Sequence, residues 1–209
     1  MSRPARHPST RSAFSLVELL VVLAIVAVLV GLTLSAVMQV RARAARTLCS
    51  HRLRQIGLAL HQYHGTASAF PPGVRTAAGE PFPSMSWHVR ILPYLEQEAL
   101  WKQAVTAYAQ QPKWTQPPHP FGKVMPAFEC PSDPHSGRPG NWLGLSPGMT
   151  SFLGVEGTDY SRKNGILFAD SQVRISDVVD GTSHTLLVGE RPPSPNTRPT
   201  AGGTRAVVS

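Results

Sequence analysis

The apolar stretch "RSAFSLVELLVVLAIVAVLVGL" carries one ionisable side chain after its arginine, Glu18. A carboxylate at mid-membrane depth costs about 2.5–3.5 kcal/mol on insertion scales. Near the end of a spanning helix it costs less, and a cationic partner makes it favourable. Cleavage between Ala13 and Phe14 would create such a partner. The new α-amine, which ordinarily titrates at about 7.7–8.0, would be mostly protonated. It would lie four residues from Glu18, on the same helical face. The pair could close within one chain or between neighbours in a packed bundle, and a low dielectric would strengthen it. If the chain were cut there, Glu18 would become a candidate assembly charge.

Other reactive side chains fall into weaker patterns. Cys49 and Cys130 are the two cysteines. They could form a disulfide if their part of the chain lies outside the cytoplasm; two unpaired thiols are the alternative. Cys130, Ser132, Asp133 and His135 have the residue types of a nucleophile set. They crowd one Pro-rich loop, though, and such sets are defined by geometry, so a turn is expected. His61 and His64 could share a metal, but no carboxylate or cysteine lies near them in sequence, so no metal site is expected. Asp159, Asn164, Asp170 and Asp180 fit no calcium-loop spacing and read as turn residues. No catalytic residue and no cofactor are expected.

The elements that must position these residues begin with the apolar run. From Phe14 to Met38 the chain has 25 residues, roughly 37 Å of helix, enough to cross a bilayer. The run exceeds a removable secretory signal, and "LSAV" is a poor cleavage end, so a retained anchor is expected. Arg41, Arg43, Arg46, Arg52 and Arg54 follow it, placed to meet anionic head groups. The formal charge of +8 is otherwise scattered and no recognition motif accompanies it, so nucleic acid is not expected as a partner. Arg3, Arg6 and Arg11 on the other side leave charge counting ambiguous about orientation.

Leu53, Ile56, Leu60 and Tyr63 then make one helical stripe. Gly57 within it suggests close approach of another backbone, and Gly65 suggests a stop. "SMSWHVRILPYLEQEALWKQAVTAYAQ" reads as two helical segments broken at Pro93, with Ser84 or Ser86 as cap. Trp87, Ile91, Leu92, Leu95, Leu100 and Trp101 are its expected core. "TSFLGVEG", "GILFA", "QVRIS" and "HTLLVGE" read as short strands. Ser176 and Gly181 bound one helical turn.

The amino-terminal stretch resembles the class III signal of type IV pilins and type II secretion pseudopilins, through Arg11, Ala13, Phe14, Ser15, Leu16, Val17 and Glu18. The resemblance implies cleavage after Ala13 by a prepilin peptidase and N-methylation of Phe14. It also implies that Glu18 pairs with the terminal amine of an adjacent subunit. The usual residue before the cut is Gly, where this chain has Ala13. Downstream, "CSHRLRQIGLALHQYHGTASAFPPG", "SWHVRILPYLEQ", "FECPSDP", "TSFLGVEGTD", "GILF" and "VRISDVVDGTSHTLLVGERP" occur in the order seen in a bacterial family. That family, the domain of unknown function fifteen-fifty-nine, follows prepilin-type amino termini. Its members typically end in an H-x9-DG segment, which this chain lacks.

The expected fold is α+β and pilin-like: one long helix packed on a small antiparallel sheet. Expected segments are a leader (1–13), a transmembrane helix (14–38), its amphipathic continuation (39–64), a periplasmic or extracellular domain (65–190) and a disordered tail (191–209). The expected role is a pseudopilin-like structural subunit rather than an enzyme. Its partners would be prepilin peptidase, other pilin-like subunits and the bacterial inner membrane, with a cytoplasmic amino end. A membrane-anchored binding module that never polymerises is the alternative.

Overall fold

A computed structural model describes residues 15–77, 79–111, 119, 123–134, 136–137, 148–158, 162–190 and 206–207. The chain divides into two compact units, Met1–Arg43 and Ala44–Ser209.

Helix α1 spans Leu16–Ala67. No proline interrupts it, and Glu18 in its first turn meets the positive end of the helix dipole. In the first unit its large apolar side chains, from Leu16 to Val40, are exposed. In the second unit Cys49, Ile56, Ala59 and Leu60 are buried, with Leu53 and Tyr63 packed against them. That is the stripe read from spacing. The helix passes through Gly65 and ends where Ser68 takes φ +60° and its N–H bonds the His64 carbonyl at 2.8 Å. The stop is therefore Ser68, one residue after the helix, and not Gly65. A Cβ on Gly57 would meet nothing within 4 Å, so no backbone among the described residues approaches there.

Helix α2 (Trp87–Arg90) has Ser86 at its N-cap position, without a side-chain cap bond, and runs into a 3-10 turn at Leu92–Leu95 with Pro93 in its first positions. Helix α3 (Glu98–Gln110) follows. Its buried residues Leu100, Ala104, Ala107 and Tyr108 share one face. Trp87, Ile91, Leu92 and Leu100 are buried, and Leu95 and Trp101 lean on the same cluster. The core therefore gathers α1, α2, α3, the 3-10 turns at Leu92–Leu95 and Pro126–Phe128, and residues of two strands around Trp87, Phe128 and Phe152.

Strand β1 (Phe152–Gly157) pairs antiparallel with β2 (Val188–Glu190), placing Phe152 opposite Glu190. A two-residue strand, β3 (Ala206–Val207), pairs parallel on the other side of β1. It lies within the tail expected to be disordered, so the sheet acquires a parallel edge that alternation in the sequence does not announce. Only the end of "HTLLVGE" is strand. "GILFA" forms bends instead, because the N–H groups of Ile166 and Leu167 both reach the one carbonyl of Val155, at 3.2 and 3.1 Å. "QVRIS" is likewise not a strand: it runs into a 3-10 turn at Ile175–Asp177. Arg174 stands at the cap position there, where its N–H bonds the Asp177 carboxylate at 2.8 Å. Gly181 takes φ +85° soon after.

Gly154 shows why a strand core position lacks a side chain. A Cβ there would lie 2.7 Å from Leu167 Cδ1 and 3.0 Å from Trp87 Nε1. The indole occupies that space.

Candidate functional site

Glu18 lies in the first turn of α1 and is exposed, amid side chains that are exposed and apolar. Ala13 and Phe14 lie outside the described residues. The helix is long and apolar enough to cross a membrane once, and none of its most apolar stretch is buried within the chain. An isolated helix of this composition has no water-compatible face. Its options are lipid or other helices.

The second site lies in the Ala44–Ser209 unit. A disulfide joins Cys49 of α1 to Cys130, with Cα atoms 5.0 Å apart. Both residues are buried. The loop around Cys130 is held by hydrogen bonds that hinge on Ser151, just ahead of β1. The Cys130 N–H donates to Ser151 Oγ at 3.0 Å, and that hydroxyl donates to Asp133 Oδ2 at 2.8 Å. The Ser151 N–H donates to the Phe128 carbonyl at 2.7 Å. Arg52, one turn after Cys49, donates to the Glu129 carbonyl at 2.6 Å. Asp133 and Cys130 are thus engaged in a turn, Ser132 is exposed, and His135 lies outside the described residues. No nucleophile set is assembled among the described residues of this loop. Ser151 carries no sequence signal of its role.

His61 and His64 are used for packing. Their rings meet Phe70 at centroid distances of 5.7 and 5.0 Å, and His64 Nε2 accepts the Ile175 N–H at 3.3 Å. The polar loop residues also stay apart. Asp170 accepts the N–H and hydroxyl of Thr76, which hold its carboxyl below the ordinary carboxylate range. Asn164 Oδ1 accepts the Thr158 N–H at 2.9 Å. Asp180 precedes the turn at Gly181, and Asp159 lies outside the described residues.

One titratable residue not singled out by sequence sits at the centre of the core. His88 is buried, stacks on Trp87 at 3.8 Å and meets Phe128 edge-on at 4.9 Å. Burial lowers its pKa to about 4, although the hydrogen bond to the Phe152 carbonyl at 3.1 Å opposes the shift. It is neutral at pH 7, and its Nε2–H donates to that carbonyl.

Residues 38–207 match the family described as Protein of unknown function (DUF1559). The chain belongs to that family. Residues 8–34 match the Prokaryotic N-terminal methylation motif, a span that contains Ala13, Phe14 and Glu18. This match supports a type IV pilin-like protein that is processed as a prepilin, and the exposed apolar part of α1 in this DUF1559 member fits a single-pass anchor. No match was found among curated proteins or among solved structures.

Proposed function

We propose that the chain is a pseudopilin-like structural subunit of a secretion or pilus-type fibre, and not an enzyme. Prepilin peptidase cuts it between Ala13 and Phe14, and Phe14 is N-methylated. The new amine of one subunit pairs with Glu18 of a neighbour while the apolar part of α1 packs in the fibre. The observation that carries this reading is a methylation motif over residues 8–34 laid on a helix whose large apolar side chains are exposed through Val40. The amino end stays in the cytoplasm of a bacterial inner membrane. The Cys49–Cys130 bond supports an oxidising compartment, periplasm or exterior, for the unit that follows.

Glu18→Ala tests the reading in cells that express the processing enzyme. Insertion into the membrane is expected to continue and incorporation into fibres to be lost. Intact-mass analysis should show a chain that begins at Phe14 with one added methyl. A protein still starting near Met1, with normal behaviour of Glu18→Ala, would make Glu18 an interfacial residue on a plain anchor.

A further inference from the structure

Two surfaces of the Ala44–Ser209 unit are left bare by the chain's own fold. The first is the side of α1 turned away from its buried stripe. Arg54, Gly57, Leu58 and His61 follow one another there at i, i+3, i+4 and i+7, which places them on one face. Leu58 is 59% exposed, and a Cβ on Gly57 would meet nothing within 4 Å. The face is thus an apolar side chain beside a shallow pit, rimmed by a guanidinium. The sequence has no acidic residue between Glu18 and Glu80, so the helix itself supplies nothing to neutralise it. The second surface is the turn that follows Ile175–Asp177. The Ile175 N–H donates to His64 Nε2 at 3.3 Å, and Val178 packs against the core. The next side chain is left outside: Val179 is 91% exposed, more than any other large apolar residue described, the apolar run of α1 included. Asp177 and Asp180 stand on either side of it in sequence, both exposed, with Arg174 behind them at the cap position. Among the described residues, neither Arg54 nor Asp180 has an ion-pair partner.

We propose that these two surfaces meet between copies of this chain: the Val179 turn of one copy seats on the Gly57–Leu58 face of the next, and Asp180 meets Arg54. An apolar tip between two carboxylates complements a face with an apolar centre and a basic rim in both shape and charge. Anionic lipid suits neither surface. It repels the acidic turn, and Arg54 and Leu58 lie 10 and 14 residues beyond Ala44, about 15–21 Å of helix rise. That exceeds the roughly 8 Å over which a charged surface acts at physiological salt. Because the two surfaces differ, the contact is heterologous: each copy keeps one turn and one face free, and copies add head to tail. Within one copy the turn is anchored at His64, seven residues beyond Gly57, about 10 Å of rise. A slide of that order along the helix direction brings the turn of one copy level with the face of the next. The inference rests on the proposed fibre for its setting, and gives that fibre a contact outside the apolar part of α1.

The test co-expresses full-length Leu58→Cys and Val179→Cys chains, with the native disulfide kept oxidised, and treats the membranes with a short bis-maleimide. Both positions are exposed, so the unfolding temperature of each variant should match that of the parent. A cross-linked dimer is expected from the mixture and from neither variant alone. Arg54→Asp added to the Leu58→Cys chain should lower its yield about two- to fivefold, the range of an exposed ion pair. Asp180→Arg added to the Val179→Cys chain should then restore it. Gly57→Leu in the Leu58→Cys chain fills the pit on a helix it does not weaken, and should abolish the dimer. Equal dimer from either variant alone would mean that like surfaces meet, and would overturn the contact. No dimer from the mixture would also overturn it; a fluorophore on Leu58→Cys that responds to phosphatidylglycerol vesicles would then give the face to lipid. Fibres sheared from the same cells separate the two ideas. Fibres without the cross-link would sink the contact and leave the fibre reading standing. The cross-link without fibres would keep the contact and sink the fibre reading.

Discussion

The two ends of α1 are one continuous helix built for two different solvents. From Leu16 to Val40 its large apolar side chains are exposed in every direction. From Ala44 onward the buried apolar residues narrow to a stripe, Cys49, Ile56, Ala59 and Leu60, while the other faces are mostly polar or basic, with Leu48 and Leu58 exposed among them. Both parts are regular α-helix; they differ in composition and in how their apolar groups are distributed around the axis. The same side chain therefore stabilises the folded domain in one half and contributes nothing to it in the other.

That contrast is open to direct attack. Leu60 is fully buried, so Leu60→Ala should cost the domain about 3–5 kcal/mol in chemical denaturation. Leu23→Ala, on an exposed position, should leave that transition unmoved in detergent. Equal losses would abolish the distinction between the halves. Cys49→Ser with Cys130→Ser should cost about 2–4 kcal/mol by the same measurement, since the bond closes a long loop.

Acid should also act on the domain alone. The folded pKa of His88, about 4, lies below the ordinary 6.5 of the unfolded chain. Its contribution is fully present above pH 6.5 and is lost as pH falls from there toward 4, by up to about 3 kcal/mol. Denaturation curves at pH 7 and pH 4.5 should show the loss, and His88→Gln should flatten it. The smallest effects separate two glycines. Gly154→Ala should destabilise by about 1–3 kcal/mol through Leu167 and Trp87. Gly57→Ala, a helical site with open space around it, should stabilise by about 0.5–1 kcal/mol. A destabilising Gly57→Ala in the isolated protein would mean that the outer face of the helix is already in contact with something.

What could be read from the sequence follows the same division. The apolar run, the Leu53–Tyr63 stripe and the Trp87–Trp101 core declare themselves because helical periodicity is local. The sheet does not. "GILFA" has strand composition, yet two of its N–H groups converge on one Val155 carbonyl, and no ladder forms. The pairing of Ala206–Val207 with β1 depends on residues distant in the chain and lies in a segment whose composition suggests disorder. Helix termination fell to Ser68 rather than Gly65, since a left-handed residue can be supplied by a serine when the local hydrogen bond to His64 is available. Of the candidate site residues, Glu18 was legible from charge in an apolar run. The part Ser151 plays in holding the Cys130 loop was not, because it is set by contacts between segments distant in the chain. The burial of His88 was equally hidden: the aromatic rings that enclose it come from Trp87 beside it and Phe128 far along the chain.

The cross-link at Cys49 also decides how the protein would carry mechanical load. Cys49 is the first buried residue of α1, so tension applied at the Leu16 end enters the domain there. It passes through a covalent bond into the Cys130 loop and, by way of Ser151, into β1. The packed Ile56–Leu60 face is bypassed. The sequence separation of 81 is withheld from the stretched path, so an oxidised chain pulled from its two ends would extend roughly 280 Å less than a reduced one.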